Sequence, residues 1–103
     1  MSKHHEIKMH LVGGTDVVAD AAPYMHIGDT VCYSSADGKV RVVFPAGTPY
    51  DVSEIHDGNS HKVKTLGRFG FQCFITPTGK TEEVGWSPKN PKAGGEHDVI
   101  PGP

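Results

Sequence analysis

The two cysteines and seven histidines of this sequence are the residues that could bind a metal ion or act in catalysis. Thiolates and imidazoles are ligands that copper and zinc prefer, and a thiolate is also a nucleophile. One alternating apolar run predicts the buried face of a strand and consists of Phe69, Phe71, Cys73 and Ile75. Apolar surroundings raise the pKa of a thiol, so this pattern favours a core cysteine. A metal-binding or nucleophilic Cys73 is the alternative.

Cys32 lies in a shorter strand-like segment, between Val31 and Tyr33. Because neighbouring strand residues point to opposite faces, we expect Val31 and Tyr33 on one face and a partly exposed Cys32 thiol on the other. A disulfide between Cys32 and Cys73 would require their Cα atoms to lie within about 7 Å of each other. Two free thiols are favoured, and the disulfide is the alternative.

The best metal candidate among the histidines is the pair His56 and His61, which flank a short polar turn. Glu54 or Asp57 supplies the third ligand in that hypothesis. Loops are also rich in solvated pairs of histidine and acid, so a turn without a metal is the alternative.

The other histidines offer no shared site. His4 and His10 fall on one face of the first predicted strand, but their spacing places them about 20 Å apart. His4 and His5 are adjacent and point to opposite faces. His26 and His97 have no identifiable partner in the sequence.

Familiar catalytic motifs are missing from the sequence. It holds no glycine-rich phosphate loop, no Gly-x-Ser-x-Gly nucleophile turn and no His-Glu-x-x-His pair. Glu82 and Glu83 are adjacent on a predicted strand and point to opposite faces, which prevents them from acting as an acid and base pair. A non-enzymatic protein is therefore favoured, and a metal-dependent or cysteine-dependent enzyme is the last alternative.

The elements that must position these residues are short strands. Thirteen glycines and eight prolines divide the chain, and the apolar residues between them alternate with period two. In the first strand the inward face is predicted to hold His5, Ile7, Met9 and Leu11. About seven such strands predict an all-β fold, an antiparallel Greek-key β-sandwich formed by residues 1–86. Tight hairpins are predicted at Asp37-Gly38 and at Thr78-Gly79.

Residues 87–103 form the predicted C-terminal tail. They contain half of the prolines, three glycines and little apolar content. Ordering such a segment costs more conformational entropy than its burial returns. We therefore expect a mobile or surface-draped tail.

Composition and charge restrict the partners. The formal net charge is -2 and the basic residues are scattered, whereas a nucleic-acid partner requires a basic face. No apolar run approaches the roughly 20 residues of a membrane span. We expect a soluble domain whose partner is an unknown protein or small molecule, with no nucleic acid and no membrane span.

The N-terminal residues bear on localisation. They carry charge where a secretory signal needs an apolar stretch, and no small-residue cleavage site follows. We expect a cytoplasmic protein, unless the chain starts at the mature N-terminus of a periplasmic or extracellular one. Two cysteines do not decide between these compartments.

Two segments together resemble the cupredoxin family. The first reads Gly28-Asp29-Thr30-Val31-Cys32-Tyr33 and is similar to the family's Gly-Asp-x-Val-x-aromatic strand. The second reads Gly67-Arg68-Phe69-Gly70-Phe71-Gln72-Cys73 and is similar to its Gly-x-aromatic-x-aromatic-x-Cys strand. Their order and separation agree with the family, and the resemblance covers roughly residues 5–86.

The resemblance implies a cupredoxin-like sandwich and a blue-copper electron carrier. The family's copper ligands are a histidine near the start of the fourth strand, a cysteine, a second histidine and an axial methionine. Only the cysteine carries over, as Cys73, because Lys39, Val40 and Arg41 occupy the place of the first histidine. The loop after Cys73 contains neither a histidine nor a methionine.

The hypothesis is therefore a non-enzymatic binding or structural module on a cupredoxin-like sandwich without a type 1 copper site. No cofactor is expected. The alternative is a copper-binding electron-transfer protein with an atypical site that uses Cys73 and histidines such as His56 and His61.

Overall fold

The computed structural model describes residues 2–20, 24–56 and 58–102. These residues form nine strands and no helix, so the all-β prediction is confirmed. In chain order the strands are β1 (His4–Val12), β2 (Asp16–Ala19), β3 (Thr30–Ser34), β4 (Gly38–Val43), β5 (Glu54–His56), β6 (Ser60–Lys62), β7 (Gly67–Pro77), β8 (Val84–Gly85) and β9 (Gly94–Val99). The described part of the chain has no helix with the length and apolar character that crossing a membrane requires.

The strands form two sheets. The first has the order β2-β1-β3-β6, and the second has the order β5-β4-β7-β8, with β9 also paired to β7. Paired strands are antiparallel except β1 and β3, which run parallel with His4 beside Thr30. The chain between β2 and β3 returns to the end of the sheet where β1 begins, so the expectation of a wholly antiparallel fold is wrong at this pair.

One hydrophobic core is shared by the two sheets. Strand β1 buries Ile7 and Met9, and β7 buries Phe71, Cys73 and Ile75. Residues between them along each strand face outward, as the period-two pattern predicted. Full burial of an aliphatic or aromatic side chain contributes about 1.5–3 kcal/mol, so these two strands anchor the fold.

The connection at Asp37-Gly38 is not the hairpin turn that the sequence predicted. Strand β3 belongs to the first sheet and β4 to the second, so this connection crosses from one sheet to the other. Gly38 does not have a positive φ. A Cβ at this position would collide with the carbonyl oxygen of Thr76. The glycine therefore permits a close approach of β4 to β7 rather than a left-handed turn.

The second predicted hairpin is present, but it is longer than predicted, because the last pair is Ile75 with Val84 and residues 76–83 lie between them. Strands β7 and β8 are antiparallel neighbours, and Gly79 in the turn between them has a φ of 80°. The backbone N–H of Lys80 donates to the carbonyl of Pro77 at 2.9 Å. Gly79 thus occupies the left-handed position that the sequence predicted, whereas Pro77 accepts the closing hydrogen bond and so precedes the two central positions of the turn.

The expectation of a mobile tail after residue 86 is wrong. Strand β9 pairs with the first half of β7, and it buries His97 and Val99 in the core. Ala93, just before β9, is buried as well. Few apolar residues suffice here because β9 joins a long strand that is already packed, and Gly94 lets its backbone approach the carbonyl of Phe71.

Candidate functional site

A buried polar cluster lies between the two sheets. It joins Tyr33 on β3, Tyr50 in the loop after β4, and His97 on β9, all of which are buried. The Oη of Tyr33 lies 2.7 Å from the Oη of Tyr50 and 2.7 Å from Nε2 of His97. Tyr33, which belongs to the first sheet, therefore contacts both the loop after β4 and strand β9 of the second sheet.

The protons of this cluster have one efficient arrangement. Both hydroxyl protons are used only when Tyr50 donates to Tyr33 and Tyr33 donates to Nε2 of His97. The imidazole then carries its own proton on Nδ1, which has no hydrogen-bond partner among the described residues. Tyr33 is thus both acceptor and donor at the centre of the chain.

Burial keeps this cluster uncharged. It lowers the pKa of His97 to about 4, with a further lowering by the positive charge of His5. Burial likewise raises the pKa of Tyr33 and the pKa of Tyr50 well above their ordinary values. At neutral pH the imidazole and both phenols are therefore neutral.

Aromatic rings enclose the imidazole of His97. The ring stacks on Phe71, with centroids 4.4 Å apart and planes 18° from parallel. Phe44 lies 6.0 Å from it, measured between centroids. The ring centroid of His61 lies 5.8 Å from that of Tyr50, and Nε2 of His61 is buried without a partner in the described residues. Such packing fixes the imidazole in one orientation.

A second polar site lies where β1 and β3 begin. The carboxylate of Asp29 is 1 % exposed and accepts hydrogen bonds from the backbone N–H groups of Lys3 (2.9 Å) and His26 (3.0 Å). The ring Nε2 of His5 lies 2.9 Å from it. Burial raises the pKa of Asp29, but these hydrogen bonds outweigh burial and lower it to about 2. The carboxylate therefore ties the N-terminal strand to β3.

Cys73 lies where the sequence predicted, in the core-facing row of β7. It is wholly buried, and burial raises its pKa to about 12. Cys32 is half-buried on the opposite face from Val31 and Tyr33, and both cysteines are free thiols. The predictions of a core Cys73 and a partly exposed Cys32 are confirmed.

In the native protein, a water-soluble alkylating reagent is expected to modify Cys32 at least about a hundredfold faster than Cys73. The thiolate is the reactive form, and burial suppresses both the ionisation of Cys73 and its access. Peptide mass spectrometry over a time course at pH 8 measures the two rates, and protein unfolded in urea is the control in which the rates converge. Faster modification of Cys73 would support the nucleophilic or metal-binding interpretation.

His56 and His61 lie in strands of different sheets. His56 ends β5 and faces solvent, with its Nε2 3.6 Å from a carboxylate oxygen of Glu54. His61 lies on β6 and packs on Tyr50. Asp57, the other acidic ligand in the hypothesis, lies outside the described residues. Within residues 2–20, 24–56 and 58–102, no three His, Cys, Asp or Glu side chains gather to hold a metal ion.

Sequence reasoning missed the cluster of Tyr33, Tyr50 and His97. The available signals were the inward register of Tyr33 beside Val31 and the alternation of His97 with Val99. Neither signal identifies a partner 64 positions away along the chain. The chain matches no family model, curated protein or solved structure.

Proposed function

We propose that this chain is a non-enzymatic binding or structural module on a cupredoxin-like, Greek-key sandwich without a type 1 copper site. The observation that carries the proposal is the environment of Cys73. The resemblance transfers this one residue as a copper ligand, yet it is wholly buried and its pKa is raised to about 12. A type 1 site needs a deprotonated thiolate that faces the metal and two imidazoles.

The positions of the two motifs support the cupredoxin-like part of the proposal. The first motif leads into β3 and buries Val31 and Tyr33, while the second forms the first part of β7. Each motif thus supplies an inward-facing strand to a different sheet. Asp29 of the first motif holds the N-terminal segment through two hydrogen bonds, to Lys3 and His5, and accepts a third from the backbone N–H of His26.

Strand β4, where the cupredoxin resemblance implies the first copper-ligating histidine, has another role in this chain. Val40 is buried, and Arg41 faces outward, where its guanidinium forms two hydrogen bonds to Glu83 (2.8 and 2.6 Å) and one to Glu54 (2.6 Å). The same guanidinium lies 4.3 Å above the ring of Phe74. This surface network links β4, β5 and the loop before β8, which supports a structural use of the strand.

The buried cluster supports a structural role in the same way. His97 is enclosed by aromatic rings and has a pKa of about 4, so it is a weak base out of reach of a substrate. Its hydrogen bond to Tyr33 instead joins β9 to β3 across the core. Buried polar pairs of this kind specify how the two sheets align.

Addition of copper(II) to the reduced protein tests the proposal. We expect weak histidine-type binding or oxidation of the half-buried Cys32, without an intense visible band, because that band arises from a short copper-thiolate bond in a plane with two imidazoles. Absorption spectra are compared for the wild type, Cys73→Ser and, as the matched control, Cys32→Ser. An intense band at stoichiometric copper that is lost in Cys73→Ser and kept in Cys32→Ser would overturn the proposal and favour the electron-transfer alternative.

A further inference from the structure

A groove opens between two loops at one end of the second sheet. The loops are the crossing from β3 to β4 and the turn from β7 to β8, and the groove has a volume of about 400 Å³. We call it the two-loop groove, and its lining residues are Ser35, Ala36, Gly38, Lys39, Thr76, Pro77, Thr78, Gly79 and Lys80. This volume falls within the range of roughly 300–1,000 Å³ that is typical of small-molecule sites.

The charge of the two-loop groove is positive. The charged side chains in its lining are Lys39 and Lys80, one from each loop. Asp37 adjoins the groove and keeps its negative charge, but its carboxylate lies against β1, where it accepts the backbone N–H of Leu11 at 2.8 Å. In a chain of net charge -2, two lysines in the lining of one concave surface produce a local field that attracts anions.

Hydrogen-bond donors accompany the two lysines. The Oγ of Ser35 accepts the backbone N–H of Asp37 at 3.0 Å, so the hydroxyl proton of Ser35 is available to a ligand. Thr76 adds a second hydroxyl, and each ammonium group adds three N–H donors. A phosphate group, with a charge of about -1.5 to -2 and three acceptor oxygens, matches such a lining better than a singly charged carboxylate does.

The rest of the lining suits the carbon part of a ligand. Ala36 and Pro77 contribute apolar surface beside the lysines. The volume of about 400 Å³ exceeds what one phosphate ion fills, and leaves room for a group of the size of a sugar ring.

The two loops hold each other in place. The backbone N–H of Thr78 in one loop donates to the carbonyl of Asp37 in the other at 3.1 Å. The close approach of Gly38 on β4 to Thr76 on β7 also holds together the two strands from which these loops extend. A groove that is formed before its ligand arrives loses less conformational entropy on binding.

We propose that the two-loop groove binds a small organic phosphate, with Lys39 and Lys80 on the phosphate group and Pro77 beside the carbon part. This inference rests on the proposed function, since it names a ligand class for the binding module. It assigns the ligand to the groove at the end of the second sheet rather than to the core.

Titration of the full chain with ribose 5-phosphate tests the inference, with ribose and inorganic phosphate as the comparison ligands. Backbone NMR shifts are expected to change at Ser35–Lys39 and at Thr76–Lys80. Lys39→Gln combined with Lys80→Gln is expected to raise the Kd at least about tenfold, because charge-assisted hydrogen bonds are lost. Lys62→Gln combined with Lys89→Gln changes the net charge equally, lies outside the groove lining, and is expected to change the Kd less than about twofold.

Four results of a titration that shows binding would overturn the inference. They are equal weakening in both double variants, shifts confined to another surface, binding of ribose as tight as that of its phosphate, and binding of inorganic phosphate as tight as that of the sugar phosphate. Failure to bind any phosphate would also overturn it, yet would leave the copper experiment untouched. The proposed function is therefore tested separately from its ligand.

Discussion

Acidification from pH 7 to pH 4 is expected to lower the free energy of unfolding by about 3 kcal/mol through the titration of His97. Its pKa is about 4 in the folded protein and 6.5 in the unfolded chain, because burial disfavours the imidazolium. Between these two values the unfolded chain binds more protons, so stability falls as the pH falls. A difference of one pKa unit corresponds to about 1.4 kcal/mol.

Urea unfolding at pH values from 7 to 4 measures this loss, with His97→Phe as the informative variant. Phenylalanine preserves the stack on Phe71 but removes both the titration and the acceptor of the Tyr33 hydroxyl. We expect the variant to be about 1–3 kcal/mol less stable at pH 7 and to have a flatter pH profile. His56→Phe, at a solvent-facing position, is the control that should keep the wild-type slope. A wild-type slope in His97→Phe would contradict the prediction.

Asp29→Asn is expected to destabilise the protein by about 3 kcal/mol at pH 7. The substitution removes the negative charge and replaces one of the two accepting oxygens with an NH2 group, so that at least one of the three N–H groups faces a donor. The pKa of Asp29 is about 2 in the folded state, below the ordinary value of 3.8. The contribution of the carboxylate is therefore complete above about pH 4 and is lost as the pH falls through about 2.

The measurement is the difference in unfolding free energy between the wild type and Asp29→Asn across pH 7 to 2, with a stabilising osmolyte in both samples. The difference should stay constant above pH 4 and narrow below it, a window separate from that of His97. Asp20→Asn is the matched control, because the Asp20 carboxylate is half exposed and pairs with His10 at the surface. Equal stability of Asp29→Asn and the wild type at pH 7 would show that the three hydrogen bonds contribute little.

The alternation of apolar and polar residues with period two made the long strands predictable. A strand with one buried face must alternate, so the burial of Ile7 and Met9 on β1, and of Phe71 and Ile75 on β7, followed from local pattern alone. The core position of Cys73 followed in the same way. The turn at Gly79 was predictable because its chemistry depends on residues adjacent in sequence.

Features that depend on distant partners were not predictable. The parallel pairing of β1 with β3 depends on the path between them, and the use of Gly38 depends on the backbone of Thr76. Strand β9 lacks a continuous apolar pattern, because much of its backbone lies against β7 at glycines. The hydrogen bond between Tyr33 and His97 has no local trace in either segment.

The pairing of β9 with β7 has a consequence for synthesis of the protein. The register places Gly67 beside Val99 and Phe69 beside His97, so the edge of β7 from Gly67 to Gln72 stays unpaired until the chain has been translated through Val99 and has left the ribosome. Until then the hydroxyl of Tyr33 also lacks its hydrogen-bond partner, the imidazole of His97. Contacts this far apart along the chain slow folding, and they leave the nascent chain with an unpaired strand edge that favours aggregation until β9 is added.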